Sequence, residues 1–430
     1  MAQNTLFLAL IAAPAALAYP WVARMPGVDS SMLGARSQAS QFGARDSPQC
    51  PNNPNHVPAP LVTDQYPYNG AKNGKPGNGK GGYLVPAPGD TVHYFQAPGP
   101  LDIRGPCPGI NTAANHGFLA RDGITTYNEL VDMQQNVYNV GYDLANILAV
   151  AGVGLDGDLV GTTKLSIGCD ATSRTSLTGG LLADELGLNG HNHFEADTSL
   201  TRNDYFLAPE PGNNFKYNNT LFTMMMQTCN GNCNLQTLGE YRYQRYLQSR
   251  ADNGNFFFGP GSLLLYGAAT FLYELFPSAE STGSGDEATM MSFFGANKDA
   301  NGNYYQNSGE RIPPNWRART DPYDGLKVGA QIIAMYLERP VLFGGNVGPG
   351  NFDALNFSSY ITNGTLNQQT PSYALCLIYQ TITSGFPAEV GNIVNLPVAL
   401  ETAIANILDP MFANFGCPRN HNSGGSVSGD

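Results

Sequence analysis

The chain has 430 residues, with 50 glycines, 30 prolines and only 13% charged residues, and 34 acidic against 22 basic side chains leave a net charge of −12. No Gly-X-Y period runs through it, which excludes collagen, and 42% hydrophobic residues can fill a large core, which excludes wholesale disorder. An acidic balance is a poor match to nucleic acid, and the length allows one large domain or two ordinary ones.

Residues 6–18 read LFLALIAAPAALA and end on small residues, Ala16 and Ala18. This fits a secretory signal over 1–18, although its start lacks a Lys or Arg, and it implies a secreted protein. It is the one long apolar run, so no membrane span is expected elsewhere. Residues 19–48, with Arg24, Arg36 and Arg45, read either as a pro-segment or as an N-terminal arm. Export places the seven cysteines (Cys50, Cys107, Cys169, Cys229, Cys233, Cys376 and Cys417) in oxidising surroundings, where an odd count leaves at least one unpaired. Three sequons, at Asn218, Asn356 and Asn363, are then candidate glycosylation sites.

Residues 68–83, YNGAKNGKPGNGKGGY, predict an exposed loop. From 124 onward Leu130, Met133, Val137, Val140, Leu144, Ile147 and Leu148 recur every three or four residues, a helical stripe of core width. Helices are also predicted over 236–250, 261–276 (nearly apolar all round), 325–338, 371–384 and 396–413, the last with Pro397 and Pro410 near its ends. Strand signals are few and short. The fold class expected is mainly α: a single large helical domain over 49–420 with long Gly/Pro-rich loops, followed by a disordered tail at 421–430.

Cys107 lies in the run Arg104-Gly105-Pro106-Cys107-Pro108-Gly109-Ile110-Asn111. Pro108 suits the first turn of a helix, and Gly109 and Ile110 then offer free N–H groups near the sulfur. A helix start favours negative charge, so a lowered pKa and a thiolate are expected. A thiolate in an exported protein needs protection from oxidation, and ligation to a metal would provide it.

The run GPCPGINTAANHGFLARDGI resembles the Pro-Cys-Pro signature of the fungal haem-thiolate peroxidases, the family of chloroperoxidase and the unspecific aromatic peroxygenases. A second stretch, Glu195-Ala196-Asp197-Thr198-Ser199-Leu200-Thr201-Arg202-Asn203-Asp204, resembles that family's Glu-X-Asp-X-Ser-X-X-Arg-X-Asp motif. The resemblance covers roughly residues 85–420 and points to a long-type member. It implies haem b, with Cys107 as the axial iron ligand, held between a proximal cysteine-bearing helix and a distal helix. It also implies a magnesium ion at a haem propionate, held by the Glu195 carboxylate, the Ala196 carbonyl and the Ser199 hydroxyl, all hard oxygen donors. It further implies a C-terminal disulfide, Cys376–Cys417.

Other readings of the same residues stay open. Asp197, Thr198 and Ser199 are also good capping residues for a helix start. His191-Asn192-His193-Phe194-Glu195 also has the alternation of a zinc site. Cys229 and Cys233, in CNGNC, read as a local bridge around Gly231, as free thiols or as a weak metal-binding pair. His56, His93, His116 and His421 are isolated and read as structural or exposed, with His116 packing near the cysteine helix.

The sequence departs from the family at the distal acid–base group that peroxide cleavage calls for. Short members carry a histidine after the motif glutamate, where this chain has Ala196. Long members carry an Arg and a Glu on one buried helix, the Glu after a Tyr-Gly pair. Here Leu265-Tyr266-Gly267-Ala268 puts Ala268 at the Glu position, and the Arg position falls near Gly261. Glu274 and Glu240 are the weak substitutes. An aromatic cluster, Phe256, Phe257, Phe258, Leu263, Leu264, Tyr266, Phe271 and Tyr273, surrounds the expected distal helix, two or three of them lining a channel.

The resemblance implies a secreted peroxidase or peroxygenase. Hydrogen peroxide would oxidise or oxygenate a hydrophobic or aromatic small molecule, with a secondary-metabolite (polyketide toxin) substrate among the options. The alternatives are a haem-binding protein with weak or no turnover, given Ala196 and Ala268, and a cofactor-free wall or adhesion protein.

Overall fold

The computed structural model describes residues 50–180, 184–207, 212–348, 350–357, 359–385 and 407–417. The expected signal, the 19–48 segment, residues 396–406 of the last expected helix and the 421–430 tail lie outside the described residues.

The described chain is largely helical. In order come α1 (Pro108–Asn115), α2 (Tyr127–Tyr138), α3 (Tyr142–Asp156), α4 (Thr172–Thr175), α5 (Asn219–Cys229), α6 (Leu235–Asp252), α7 (Leu263–Glu274), α8 (Glu287–Phe293), α9 (Gly325–Glu338), α10 (Pro371–Gly385) and α11 (Asp409–Ala413). The strands are two or three residues long and form small antiparallel sheets. The largest joins Phe257–Phe258, Gly344–Asn346 and Phe352–Ala354, with Phe258 opposite Gly344 and Gly344 opposite Ala354. Among the described residues no helix is long and apolar enough to cross a membrane.

Side-chain capping explains several helix starts. Thr126 and Glu129 form a capping box on α2, Asn234 and Thr237 do so on α6, and Asn218 and Asp324 cap α5 and α9. The apolar stripe expected as one helix from 130 to 148 is two helices. Asn139 takes a left-handed conformation (φ 52°) at the end of α2, a shape asparagine tolerates, and the chain turns into α3. α2 packs on α3, and α9 packs on α6, α7 and α10.

Residues 68–83 are irregular but not simply exposed. Tyr68, Asn69, Ala71 and Gly74 are buried, and the loop is strapped to α2. The Gly74 and Gly77 N–H groups donate to Asp132 and Gln135, and Asn136 Nδ2 donates to the Ala71 carbonyl. Its backbone groups meet the side chains of α2, while Asn73, Lys75, Asn78 and Lys80 stay exposed.

Six cysteines pair as Cys50–Cys169, Cys229–Cys233 and Cys376–Cys417, leaving Cys107 as the free thiol. The Cys229–Cys233 bridge is local because Asn230 and Gly231 both take left-handed conformations (φ 46° and 80°) and reverse the chain.

Candidate active site

Six main parts of the chain line a cavity of about 220 Å³, where one water needs only ~10–15 Å³. The segment Pro106–Ile110 forms one wall. α2 contributes Leu130, Met133, Gln134 and Tyr138, and α3 contributes Leu148, Ala149 and Gly152. The motif loop supplies Phe194, Glu195, Ser199, Leu200 and Thr201, and α6 supplies Arg242. α7 presents Leu264, Leu265, Ala268, Phe271 and Leu272, with Phe276 and Phe294 beyond it. The wall is mostly apolar, and its few polar groups stand on α2, the motif loop and α6.

Cys107 is the N-cap of α1, with Pro108 in the first helical position. Cys107 is half-buried, its sulfur stands in the mostly apolar cavity wall, and desolvation there pushes its thiol pKa up. The Ile110 and Gly109 N–H groups and the Arg202 guanidinium pull the other way without prevailing. The lowered pKa expected from the helix start is therefore corrected: desolvation outweighs two N–H groups. A metal bound to the sulfur would reverse that balance, because a coordinating thiol is deprotonated outright.

α1 is held at its base by residues the sequence reading missed. Asn111 accepts from the Gly105 N–H (3.0 Å) and donates to the Gly105 carbonyl (2.9 Å) and to Glu310 (3.0 Å). Asn115 donates to the Glu310 carbonyl. No local spacing could have found Glu310, which lies 199 residues from Asn111. His116, at the end of α1, spans His93 and Ile312 with its two ring nitrogens, as a residue packed near the cysteine helix should.

The segment 195–204 is not a helix start. It is an irregular loop clamped from several sides. Thr198 is left-handed (φ 70°), which is strained for a β-branched residue. Its N–H donates to Asp204, and its carbonyl and hydroxyl accept from Arg242. Asp197 accepts from the Phe257 N–H, and Arg245 binds both the Ser199 carbonyl and Asp204. The acidic and basic residues of the motif thus hold its shape.

Within this loop Glu195 is buried. One carboxylate oxygen accepts from His191 (3.0 Å) and Asn214 (2.7 Å), while Oε1 has no partner. An orphaned buried carboxylate oxygen beside the cavity-lining Ser199 suits a hard cation. The zinc reading does not hold: His191 turns to Glu195, but His193 turns to Asp156 and the Leu155 carbonyl. Among the described residues no group of three His, Cys, Asp or Glu is placed to hold a metal.

The two substitute acids are placed elsewhere. Glu274 is buried in an ion pair with Arg319 (2.7 Å) and accepts from Gln331 (2.6 Å), and Glu240 pairs with Arg339 on the surface. Neither lines the cavity. Ala268 does line it, so the departure read from the sequence falls on the cavity wall, whereas Gly261 does not line it. Of the aromatic cluster only Leu264 and Phe271 reach the cavity; the rest are core. Arg242, also missed, had a signal: with Arg245 it puts charge on the face of α6 that buries Leu238 and Tyr241.

The signature of "Peroxidase, family 2" matches residues 93–321. The chain is 29% identical over 351 residues to the dothistromin biosynthesis peroxidase dotB of Dothistroma septosporum, covering 78% of this chain and 83% of that protein. It is 33% identical over 344 residues to an aromatic peroxygenase of Cyclocybe aegerita, covering 76% and 81%. A shorter match, 32% over 154 residues, joins it to a chloroperoxidase of Leptoxyphium fumago, covering 36% and 37%. A lone thiol at a helix start on the wall of a large apolar cavity is what such relatives lead one to look for, and the chain belongs to peroxidase family 2, the fungal haem-thiolate peroxidases, oxidoreductases that work with peroxide and a haem cofactor.

Proposed function

We propose that the chain is a secreted haem-thiolate peroxidase or peroxygenase that uses hydrogen peroxide to oxidise or oxygenate hydrophobic, aromatic small molecules. The observation that carries this reading is Cys107, the free cysteine, opening onto the apolar cavity. Cys107 would supply a thiolate ligand to the iron of haem b, steadied by the Ile110 and Gly109 N–H groups. The haem, once bound, supplies the redox chemistry that makes peroxide an oxidant of organic molecules. The Glu195 carboxylate, the Ala196 carbonyl and the Ser199 hydroxyl would hold Mg²⁺, with the orphaned Glu195 Oε1 as the free donor. Leu264, Leu265 and Phe271 would exclude water and hold an apolar substrate. The Dothistroma relative, a dothistromin biosynthesis peroxidase, supports a substrate from secondary-metabolite biosynthesis.

Export would bring glycans to the sequons. Asn356 and Asn363 are exposed. Asn218 is engaged: it caps α5, and its Nδ2 donates to Asn203 at 2.7 Å. A glycan there would replace one Nδ2 hydrogen and crowd that contact, so the two exposed asparagines are the better acceptors.

A second reading, a haem binder with weak turnover, rests on one observation: α7 presents only apolar side chains to the cavity, Ala268 among them. Purified protein tests both. The first reading requires a pigmented protein whose carbon monoxide complex shows the red-shifted band of thiolate-ligated haem, lost in Cys107→Ala. A colourless protein sinks both readings. Peroxide turnover no better than that of free haem leaves only the second.

A further inference from the structure

Three arginines, Arg202, Arg242 and Arg245, are among the largest fully buried side chains of the molecule. A buried charge is expected to carry a counter-charge. Arg245 has one in Asp204 at 3.0 Å, and Arg202 has one in Glu310 at 3.9 Å. Arg242, one turn before Arg245 on α6, has no carboxylate within ion-pair distance among the described residues. Two of its nitrogens are spent on the Thr198 carbonyl and hydroxyl, and its guanidinium carbon lies 4.9 Å over the Tyr266 ring. Its Nε is buried with no partner. Burial lowers its pKa only to about 10, so it is charged at neutral pH.

This unpaired cation is part of the cavity wall, on the same side as Glu195 and Ser199, whose loop it grips. Glu195, the other charged side chain of the wall, is outside ion-pair distance of Arg242 and turns to His191, so the place of a counter-charge is open to an anion that fills the cavity. The anionic groups of a haem are its two propionates.

We propose that Arg242 is the protein's counter-charge for a haem propionate, which makes it a positioning residue that orients the porphyrin within the cavity. The inference rests on the haem reading above. Through Thr198, Arg242 also shapes the loop carrying Glu195 and Ser199, so the porphyrin carboxylates and the cation ligands share one support.

The experiment uses the haem-loaded full chain, its Arg242→Gln variant, and Thr198→Ala, which loses the hydroxyl contact but keeps the charge. Two readouts are taken: the propionate bending band in the resonance Raman spectrum, and the rate of haem transfer to excess apomyoglobin. In R242Q the propionate band moves and transfer is about ten- to hundredfold faster, the scale of one lost hydrogen bond to a charged group. The iron–sulfur stretch stays in place, and T198A leaves the propionate band unmoved. An unmoved propionate band in R242Q overturns the inference, as does an equal shift in T198A, which would assign the effect to the loop. Should R242Q not load haem, the wild-type band decides alone: at the position of a carboxylate without a donor, it overturns the inference. Wild-type protein that shows no thiolate-ligated haem at all defeats the haem reading instead, a separate outcome.

Discussion

Asn111 Nδ2 lies 3.0 Å from Glu310 Oε1, fastening the first turns of the cysteine helix to a loop on the far side of the sequence. The same amide closes both hydrogen bonds to Gly105, so one side chain fixes the entry into Pro106-Cys107-Pro108. Asn111→Ala leaves the Gly105 N–H and carbonyl without this partner. The expected loss is about 1–3 kcal/mol for each buried group left unsatisfied, read as a lower denaturant midpoint. Glu310→Gln keeps an acceptor oxygen and should cost less. A double-mutant cycle should then show strong coupling between positions 111 and 310.

Ala268 stands on the cavity wall, at the position where the family resemblance leads one to expect a glutamate. Ala268→Glu should place a proton carrier there and raise the peroxide turnover number by about a hundredfold, the lower range for general acid–base catalysis. Ala268→Gln, of similar size but unable to exchange a proton at working pH, should give no gain. Steady-state kinetics of the two variants beside the parent protein checks this. A gain shared by both would point to packing instead.

His116 and Asp132 set opposite pH trends. Burial lowers the His116 pKa to about 4, and its neutral ring accepts from the Ile312 N–H. A lowered folded pKa gives stability that is present above the unfolded value and is lost as pH falls through about 4. Burial raises the Asp132 pKa to about 6 although it accepts from Gly74. Its contribution is present at low pH and is lost as pH rises through about 6. Asp132→Asn should therefore gain on the parent chain between pH 4 and pH 7, seen in denaturant midpoints across that range.

The Cys376–Cys417 bridge spans 41 residues and joins α10 to the chain after α11. Replacing both cysteines by serine should cost about 4 kcal/mol by the chain-entropy relation. The same change at Cys229 and Cys233, only 4 residues apart, should cost about half as much. Thermal unfolding of the two double variants ranks them.

The longer helices were legible from their apolar residues, and α6, α7, α9 and α10 lie within a few residues of where these put them, whereas α4, α5 and α8 were not anticipated. The break at Asn139 was hidden because Val140 continues the stripe in phase, and only a backbone angle separates α2 from α3. Cys107 was legible because its proline neighbours and helix-start residues are local. Its protonation was not, since burial is a property of the whole fold. Glu310 and the Cys50–Cys169 pairing were not legible for the same reason: partners 199 and 119 residues apart share no local pattern. A capped helix start stayed open beside the cation-site reading of 195–204 because Asp, Thr and Ser serve both purposes. Arg242 and Arg245, far along the chain, decide between them.

Asn139 does more than end a helix. Its side chain is completely enclosed, donating to the Arg319 and Thr320 carbonyls and accepting from Asn69. The direction in which α3 departs is thus moored to two distant stretches of chain, and with it the stance of Leu148, Ala149 and Gly152 along the cavity. The room left for a guest molecule is dictated in part by an amide that never meets it.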